Sequence, residues 1–270
     1  MKTRVITAAV LVLALLLMAL IPYKWIAAVV FGALMAIGSY ELLYGTGMVR
    51  HSRLVIYAAV MAFAIAMWSY FGAEQAYLIL LVMAYSIVLF GEMMHDHVKV
   101  RFDMIAMTFF AGFVVPFLLG AVIRILSMKI GRYFIMIPFI VAYFNDAGAY
   151  LVGIKYGKHK LSPVVSPNKT YEGMLGGLAG SVLGMLLYGL LLQFAFKFQV
   201  NYLLTILYGI LGSSVGVFGD LCFSVVKRQT GIKDYGNLFP GHGGVLDRFD
   251  SMMLVAPLIE VLLILLPLAV

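Results

Sequence analysis

Tyr202-Leu-Leu-Thr-Ile-Leu-Tyr-Gly-Ile-Leu-Gly-Ser-Ser-Val-Gly-Val-Phe-Gly-Asp220-Leu-Cys-Phe-Ser-Val-Val226 contains one charged side chain in 25 residues. A helix needs about 20 apolar residues to cross about 30 Å of hydrocarbon, so this run is long enough to span a bilayer. Eight comparable runs lie near residues 5–22, 25–44, 54–71, 76–94, 103–127, 133–153, 174–196 and 251–270. The predicted class is therefore all-α: a polytopic integral membrane protein with about nine transmembrane helices and a polar cavity opening to the cytoplasmic face. The whole chain agrees, with 270 residues at 64% hydrophobic, 11% charged and a mean hydropathy of +1.04. A water-facing surface needs roughly a quarter of its residues charged, which excludes a soluble domain.

The first run follows Met1–Arg4 as a secretory signal would, but continues through Met18-Ala-Leu-Ile-Pro22 without a clear small-residue cleavage site. It is read as a retained span. The net charge of +7 would point a soluble protein toward nucleic acid. Beside a bilayer, bases meet lipid phosphates and obey the positive-inside rule, and no nucleic-acid motif is present. With nine spans, twelve of the nineteen bases fall on one side: Arg50, Arg53, Lys99, Arg101, Lys155, Lys158, Lys160, Lys169, Lys227, Arg228, Lys233 and Arg248. That side is predicted to be cytoplasmic, with the N-terminus outside. A single cysteine, Cys222, excludes an internal disulfide framework.

No linker, soluble domain or repeat interrupts the pattern, so residues 1–270 are read as one membrane domain. Residues 1–130 are expected to act as scaffold or dimer contacts, and residues 131–270 to carry chemistry. In the first part only Glu41 and Glu92 stand out, acids near helix ends where water is within reach. His51, His95 and His97 sit in short basic loops and are read as solvated.

The sixth run is different. Asn145 and Asp146 lie inside it, at least a turn from its expected end. A buried carboxylate needs a partner, a metal or a water-filled cavity. Asp146 therefore either pairs with a loop base such as Lys155 or lines a polar cavity. The loop that follows includes Lys155, Lys158, Ser166, Lys169, Thr170 and Glu172, offering ammonium groups, hydroxyls and amides that phosphate oxygens accept. Gly176, Gly180 and Gly184 recur one helical turn apart and are read as helix packing alone.

If the opening run stays helical past Asp220, Ser224 and Lys227 share its face. Arg228, Lys233 and Asp234 come next, then Gly236, Asn237, Pro240, Gly241, His242, Gly243 and Gly244, which forbid regular structure. A ninth helix beginning near Val245 would carry Asp247, Arg248 and Asp250 in its first turns. Asp220 to Asp250 thus holds eight charged side chains in 31 residues. Carboxylates Asp220, Asp247 and Asp250 would suit a hard cation such as Mg2+, which keeps positions for water and substrate phosphates. The nearby bases would neutralise a polyphosphate, and His242 between glycines is a candidate phosphate contact. Nucleotidyl or phosphoryl transfer is the implied reaction class.

Ser224-x2-Lys227-Arg228-x4-Lys233-Asp234 and Pro240-Gly-His242-Gly243-Gly244-x2-Asp247-Arg248-x-Asp250 resemble the signature of the phosphatidate cytidylyltransferases, or CDP-diacylglycerol synthases. Asn145-Asp146-x-Gly148-Ala-Tyr150 and Ser166-Pro-Asn-Lys169-Thr170-Tyr-Glu172-Gly173 resemble further blocks of that family. The resemblance covers the C-terminal half. It implies that CTP and phosphatidate yield CDP-diacylglycerol and pyrophosphate, in phospholipid biosynthesis, with one or two Mg2+ ions. It also implies a homodimer in a bacterial plasma membrane, with the active site cytoplasmic. Asp220, Lys227, Arg228, Lys233, Asp247 and Arg248 would be catalytic, and Asp220, Asp247 and Asp250 would hold metal. Asn145, Asp146, Ser166, Lys169, Thr170, Glu172, Ser224, Asp234, His242, Gly243 and Gly244 would bind substrate. A transporter or cation channel would place polar groups near the midplane and show symmetry between halves, and neither is visible. A CDP-alcohol phosphotransferase would need D-G-x2-A-R followed by G-x3-D-x3-D, which is absent.

Overall fold

The computed structural model describes residues 23–72, 74–241 and 243–269. The expected first span at 5–22, and His242, lie outside these. Seven helices among the described residues are long and apolar enough to cross a membrane: Lys24–Gly45, Ser52–Phe71, Gln75–His95, Phe102–Ser127, Gly131–Tyr156, Tyr171–Phe194 and Tyr202–Gln229. The chain is an all-α polytopic membrane protein. The expected last span is helical over 14 residues, Met252–Leu265.

The chain forms two compact units, one of residues 23–132 with 229–249, the other of Tyr133–Arg228 with Asp250–Val270. In the first, α1 (Lys24–Tyr40) runs on through a π-helical turn, Glu41–Gly45. Thr46 ends it: its Oγ1 donates to the Leu42 carbonyl at 2.5 Å and accepts the Met48 amide at 3.2 Å. Helix α2 (Ser52–Phe71) packs against α1, where Gly32 comes close to the Phe63 ring and Ala66. Lipid tails are as apolar as these side chains, so close van der Waals contact, not water exclusion, holds such helices together.

Helix α3 (Gln75–His95) buries only Tyr85 and Leu89 of its side chains, leaving the rest of its apolar surface outward as lipid permits. The Phe102–Ser127 span is segmented. Helix α4 (Phe102–Phe109) passes through a π-helical turn at Phe110–Val114 into α5 (Val115–Leu119), and α6 (Ala121–Ser127) follows Gly120. Pro116, which lacks an amide donor, sits in the first turn of α5, where no donor is required. Arg124 Nη1 donates to the Phe117 carbonyl at 3.0 Å, satisfying an acceptor that the break at Gly120 releases.

In the second unit, the short α7 (Gly131–Phe134, which begins in the first unit) leads into α8 (Met136–Tyr156). Helix α9 (Tyr171–Phe194) presses on α8 along the glycine row. A Cβ at Gly180 would collide with the Phe144 carbonyl, and one at Gly184 would lie 2.5 Å from the Phe144 ring. The glycines serve packing, as their spacing predicts. Helix α10 (Tyr202–Gln229) and α12 (Met252–Leu265) complete the unit. Between α8 and α9 the polar loop forms a hairpin of β1 (Lys160–Ser162) and β2 (Ser166–Thr170).

The expected ninth helix is divided. Its first turn is α11 (Leu246–Phe249), in the first unit, and α12 starts only at Met252. At the break, Asp250 Oδ1 accepts the Ser251 amide at 2.8 Å, a local bond that competes with the helical ladder.

Candidate active site

The second unit contains a cavity of about 290 Å³ lined by Asn145, Asp146, Tyr150, Lys169, Thr170 and Asp220, among others. Helix α8 supplies the first three, the end of β2 the next two, and α10 the last. Lys169 Nζ forms an ion pair with Asp220 Oδ2. Because α10 is helical through Gln229, Ser224 lies one turn beyond Asp220, and its Oγ donates to Asp220 Oδ1 at 3.3 Å.

Asn145 is buried, and its amide is oriented on both sides. Ser213 Oγ donates to its Oδ1 at 2.7 Å, and its Nδ2 donates to Asp146 Oδ1 at 3.4 Å. Gly177 makes room for it, since a Cβ there would lie 2.6 Å from Asn145 Oδ1. Thr170 caps α9, with Oγ1 accepting the Gly173 amide at 3.1 Å, so the cap that starts the helix also fixes the residue after Lys169.

Asp250, just before α12, has its carboxyl pushed above the usual carboxylate range. Desolvation is the largest cause, followed by the charge of Asp220, with Asp146 adding to it and Lys227 opposing. Asp146, Asp220 and Asp250 thus share one electrostatic environment. Arg228, expected to be catalytic, donates from Nε to the Val165 carbonyl in the hairpin turn at 3.0 Å.

Three predicted binding residues of this unit, Ser224, Glu172 and Ser166, are not part of the cavity lining. Glu172 accepts the amides of Lys158 at 3.1 Å and His159 at 3.2 Å, and pairs with His159 Nδ1 at 2.6 Å. Ser166 opposes Ser162 in the hairpin.

The first unit holds a second cavity, about 550 Å³, lined by Lys233, Asp234, Asn237, Phe239, Gly243 and Arg248, among others. Its wall is the glycine-rich loop, where Gly231, Gly241 and Gly243 have φ of +71°, +76° and +80°, a region that disfavours other residues. Buried carboxylates fasten this loop. Asp247 Oδ2 accepts the amides of Tyr235 at 2.8 Å and Gly244 at 3.0 Å. Glu41 Oε1 accepts the Val245 amide and Oε2 the Leu246 amide, each at 3.0 Å.

A Cβ at Gly243 would lie 2.6 Å from Asp247 Oδ2, and Cβ atoms at Gly236 or Gly244 would collide with Glu41. The glycines are therefore required by the approach of these carboxylates as well as by the turns. The sequence contains no signal for the Glu41 contact beyond an acid near a helix end. Of the three expected metal ligands, Asp220 and Asp250 belong to the second unit and Asp247 to the first. Among the described residues, no group of three or more His, Cys, Asp or Glu side chains is arranged to hold a metal ion.

The profile of the cytidylyltransferase family matches residues 2–266. The chain belongs to that family. Over 134 residues it is 47% identical to a phosphatidate cytidylyltransferase of Staphylococcus haemolyticus, 46% to one of Staphylococcus saprophyticus and 45% to one of Staphylococcus aureus strain COL. Each match covers 50% of this chain and 50% of the relative, so the chain spans about half the length of the curated relatives it matches. The cytidylyltransferase family assignment agrees with the motif resemblance in the C-terminal half.

Proposed function

We propose that this cytidylyltransferase family member converts CTP and phosphatidate into CDP-diacylglycerol and pyrophosphate, in phospholipid biosynthesis. The observation that carries the reading is the Lys169–Asp220 ion pair on the wall of a polar cavity built from membrane-spanning helices. A lipid phosphate needs a cationic donor beside hydrocarbon, and a nucleotide needs the same place to be wet. The staphylococcal relatives are phosphatidate cytidylyltransferases, which supports phosphatidate as the acceptor of a cytidylyl group.

The chemistry requires no protein nucleophile. The phosphate monoester of phosphatidate, with a second pKa of about 6, is largely dianionic at neutral pH. Its oxygen attacks the α-phosphorus of CTP, the new O–Pα bond forms, and the Pα–O bond to the β-phosphate breaks. Pyrophosphate leaves with the electron pair.

Lys169, Asn145 and Thr170 would orient the lipid phosphate in the second-unit cavity, and Lys227 and Arg228 extend that positive charge along α10. Lys233 and Arg248, with the loop amides, would neutralise the polyphosphate. Cys222 takes no part. A hard divalent cation needs only one or two carboxylates, with water and substrate phosphates filling its other positions. Asp220 and Asp250 would hold Mg2+, which when bound would neutralise charge on the phosphates. Asp247 would act through the loop amides it accepts. The charge asymmetry supports a cytoplasmic site, the bacterial relatives support a plasma-membrane location, and we propose that the enzyme works there as a homodimer.

The test is direct. Purified chain in detergent, given CTP, phosphatidate and Mg2+, is expected to release pyrophosphate and form CDP-diacylglycerol in equal amounts. Absence of CDP-lipid under those conditions would overturn the reading.

A further inference from the structure

Glu41 comes from the N-terminal half, outside every motif that points to cytidylyl transfer. The residue is only 4% exposed. Each of its oxygens accepts one backbone amide, from Val245 and Leu246, at 3.0 Å. Those amides lie 204 and 205 residues away in sequence, where the glycine-rich loop turns into α11. Gly236 and Gly244 leave no room for a Cβ beside the carboxylate. Gly45, on the same π-helical turn, approaches the Tyr235 carbonyl so closely that a Cβ would lie 2.7 Å from it.

The loop is thus fastened at both ends of its functional part. Glu41 takes the amides of 245 and 246, Asp247 takes those of 235 and 244, and Lys233 and Arg248 flank the fastened segment. A surface acid at a helix end needs none of this. A plain packing role is also a poor match, because an apolar side chain of the same size would leave two buried amides without acceptors.

We propose that Glu41 is a positioning residue: by accepting the Val245 and Leu246 amides it holds the glycine-rich loop in the form that presents Lys233 and Arg248 to the polyphosphate of the nucleotide. This rests on the reading of the reaction given above. It predicts that loss of the carboxylate damages handling of the nucleotide and spares handling of the lipid. Glu41→Gln is the decisive change, since the amide is nearly isosteric but offers one acceptor oxygen where two are used, leaving a buried amide facing an NH2 group.

The full-length chain is assayed with CTP and phosphatidate varied separately. Leu54→Ala, a cavity in the buried face of α2, serves as a control for general loss of stability. Glu41→Gln is expected to lower kcat/KM for CTP by about tenfold or more, with KM for phosphatidate within about twofold of wild type. Leu54→Ala is expected to lower the melting temperature at least as far while leaving both KM values in place. Equal activity of Glu41→Gln and wild type, or losses that follow the melting temperature in both variants alike, would overturn the proposal.

Pyrophosphate titration separates this inference from the reaction itself. If wild type forms no CDP-lipid, the reaction is misread. Glu41 is then judged by pyrophosphate affinity, which is expected to be at least about tenfold weaker in Glu41→Gln. Unchanged affinity, or no saturable binding by wild type, would refute the positioning role. Gly244→Ala, which pushes a methyl into the Glu41 carboxylate, is expected to reproduce the same split, and normal CTP kinetics in that variant would also refute it.

Discussion

The two units use carboxylates in opposite ways. In the first, Glu41 and Asp247 are buried and spend their oxygens on four backbone amides. In the second, Asp220 faces the ammonium of Lys169, and Asp250 feels the charges of Asp220, Asp146 and Lys227. An acid taken up by amides fixes the chain, and each amide dipole offsets part of its charge. An acid set among other charges is poised to exchange partners when a cation or a phosphate arrives. Asp220, Asp247 and Asp250 lie in one charged stretch of sequence, and only the atoms facing each oxygen tell them apart.

The hardest test of this contrast is Asp220→Asn. The change keeps shape and removes charge, so it disarms both Lys169 pairing and cation binding. Turnover of CTP and phosphatidate is expected to fall by about 10²–10³-fold while the melting temperature in detergent stays close to wild type. Retention of more than a tenth of the activity would remove Asp220 from the chemistry.

Asp247→Asn makes the complementary comparison. Asparagine keeps a carbonyl oxygen that can accept from Tyr235 and Gly244, so a residue acting through the loop should tolerate it better. The expected loss is about tenfold, a smaller effect than for Asp220→Asn under the same assay. If Asp247→Asn is as inactive as Asp220→Asn, Asp247 is a charge-dependent ligand and the contrast between the units fails at that residue.

Gly180→Ala probes the helix row in the second unit without touching a charge. A methyl there meets the Phe144 carbonyl and must part α8 from α9. Overpacking of this kind costs about 1–3 kcal/mol, so the melting temperature is expected to drop with a several-fold loss of activity. A variant as stable as wild type would show that the two helices have slack.

The membrane fold is legible in the sequence because bilayer thickness fixes the length of each apolar run, and seven of the eight runs that fall among the described residues are long apolar helices. Helix continuity past Asp220 is legible for a related reason, since no Gly or Pro interrupts Asp220–Gln229. Other features depend on partners distant in sequence. The Glu41 clasp joins positions 204 residues apart, and nothing near Glu41 encodes it. The hairpin at Lys160–Thr170 is too short and polar to show an alternating pattern. The break at Asp250 depends on one side-chain bond to the next amide, in a segment whose hydropathy reads as one helix.

Glu172 sharpens the comparison with the smallest expected effect. It lies in the second unit and inside a motif block, yet it behaves like the carboxylates of the first, accepting the Lys158 and His159 amides. Two differences limit its weight. Glu172 is fastened to an exposed turn, so water can replace it as acceptor, and its ion pair with His159 is likewise exposed. If facing atoms rather than motif membership decide a carboxylate's role, Glu172→Gln should leave turnover within about threefold of wild type and shift KM for phosphatidate at most slightly, through a looser hairpin behind Lys169. Steady-state kinetics with phosphatidate varied would measure this. A loss on the scale of Asp220→Asn would mean that Glu172 leaves the hairpin amides during the reaction and meets a substrate itself.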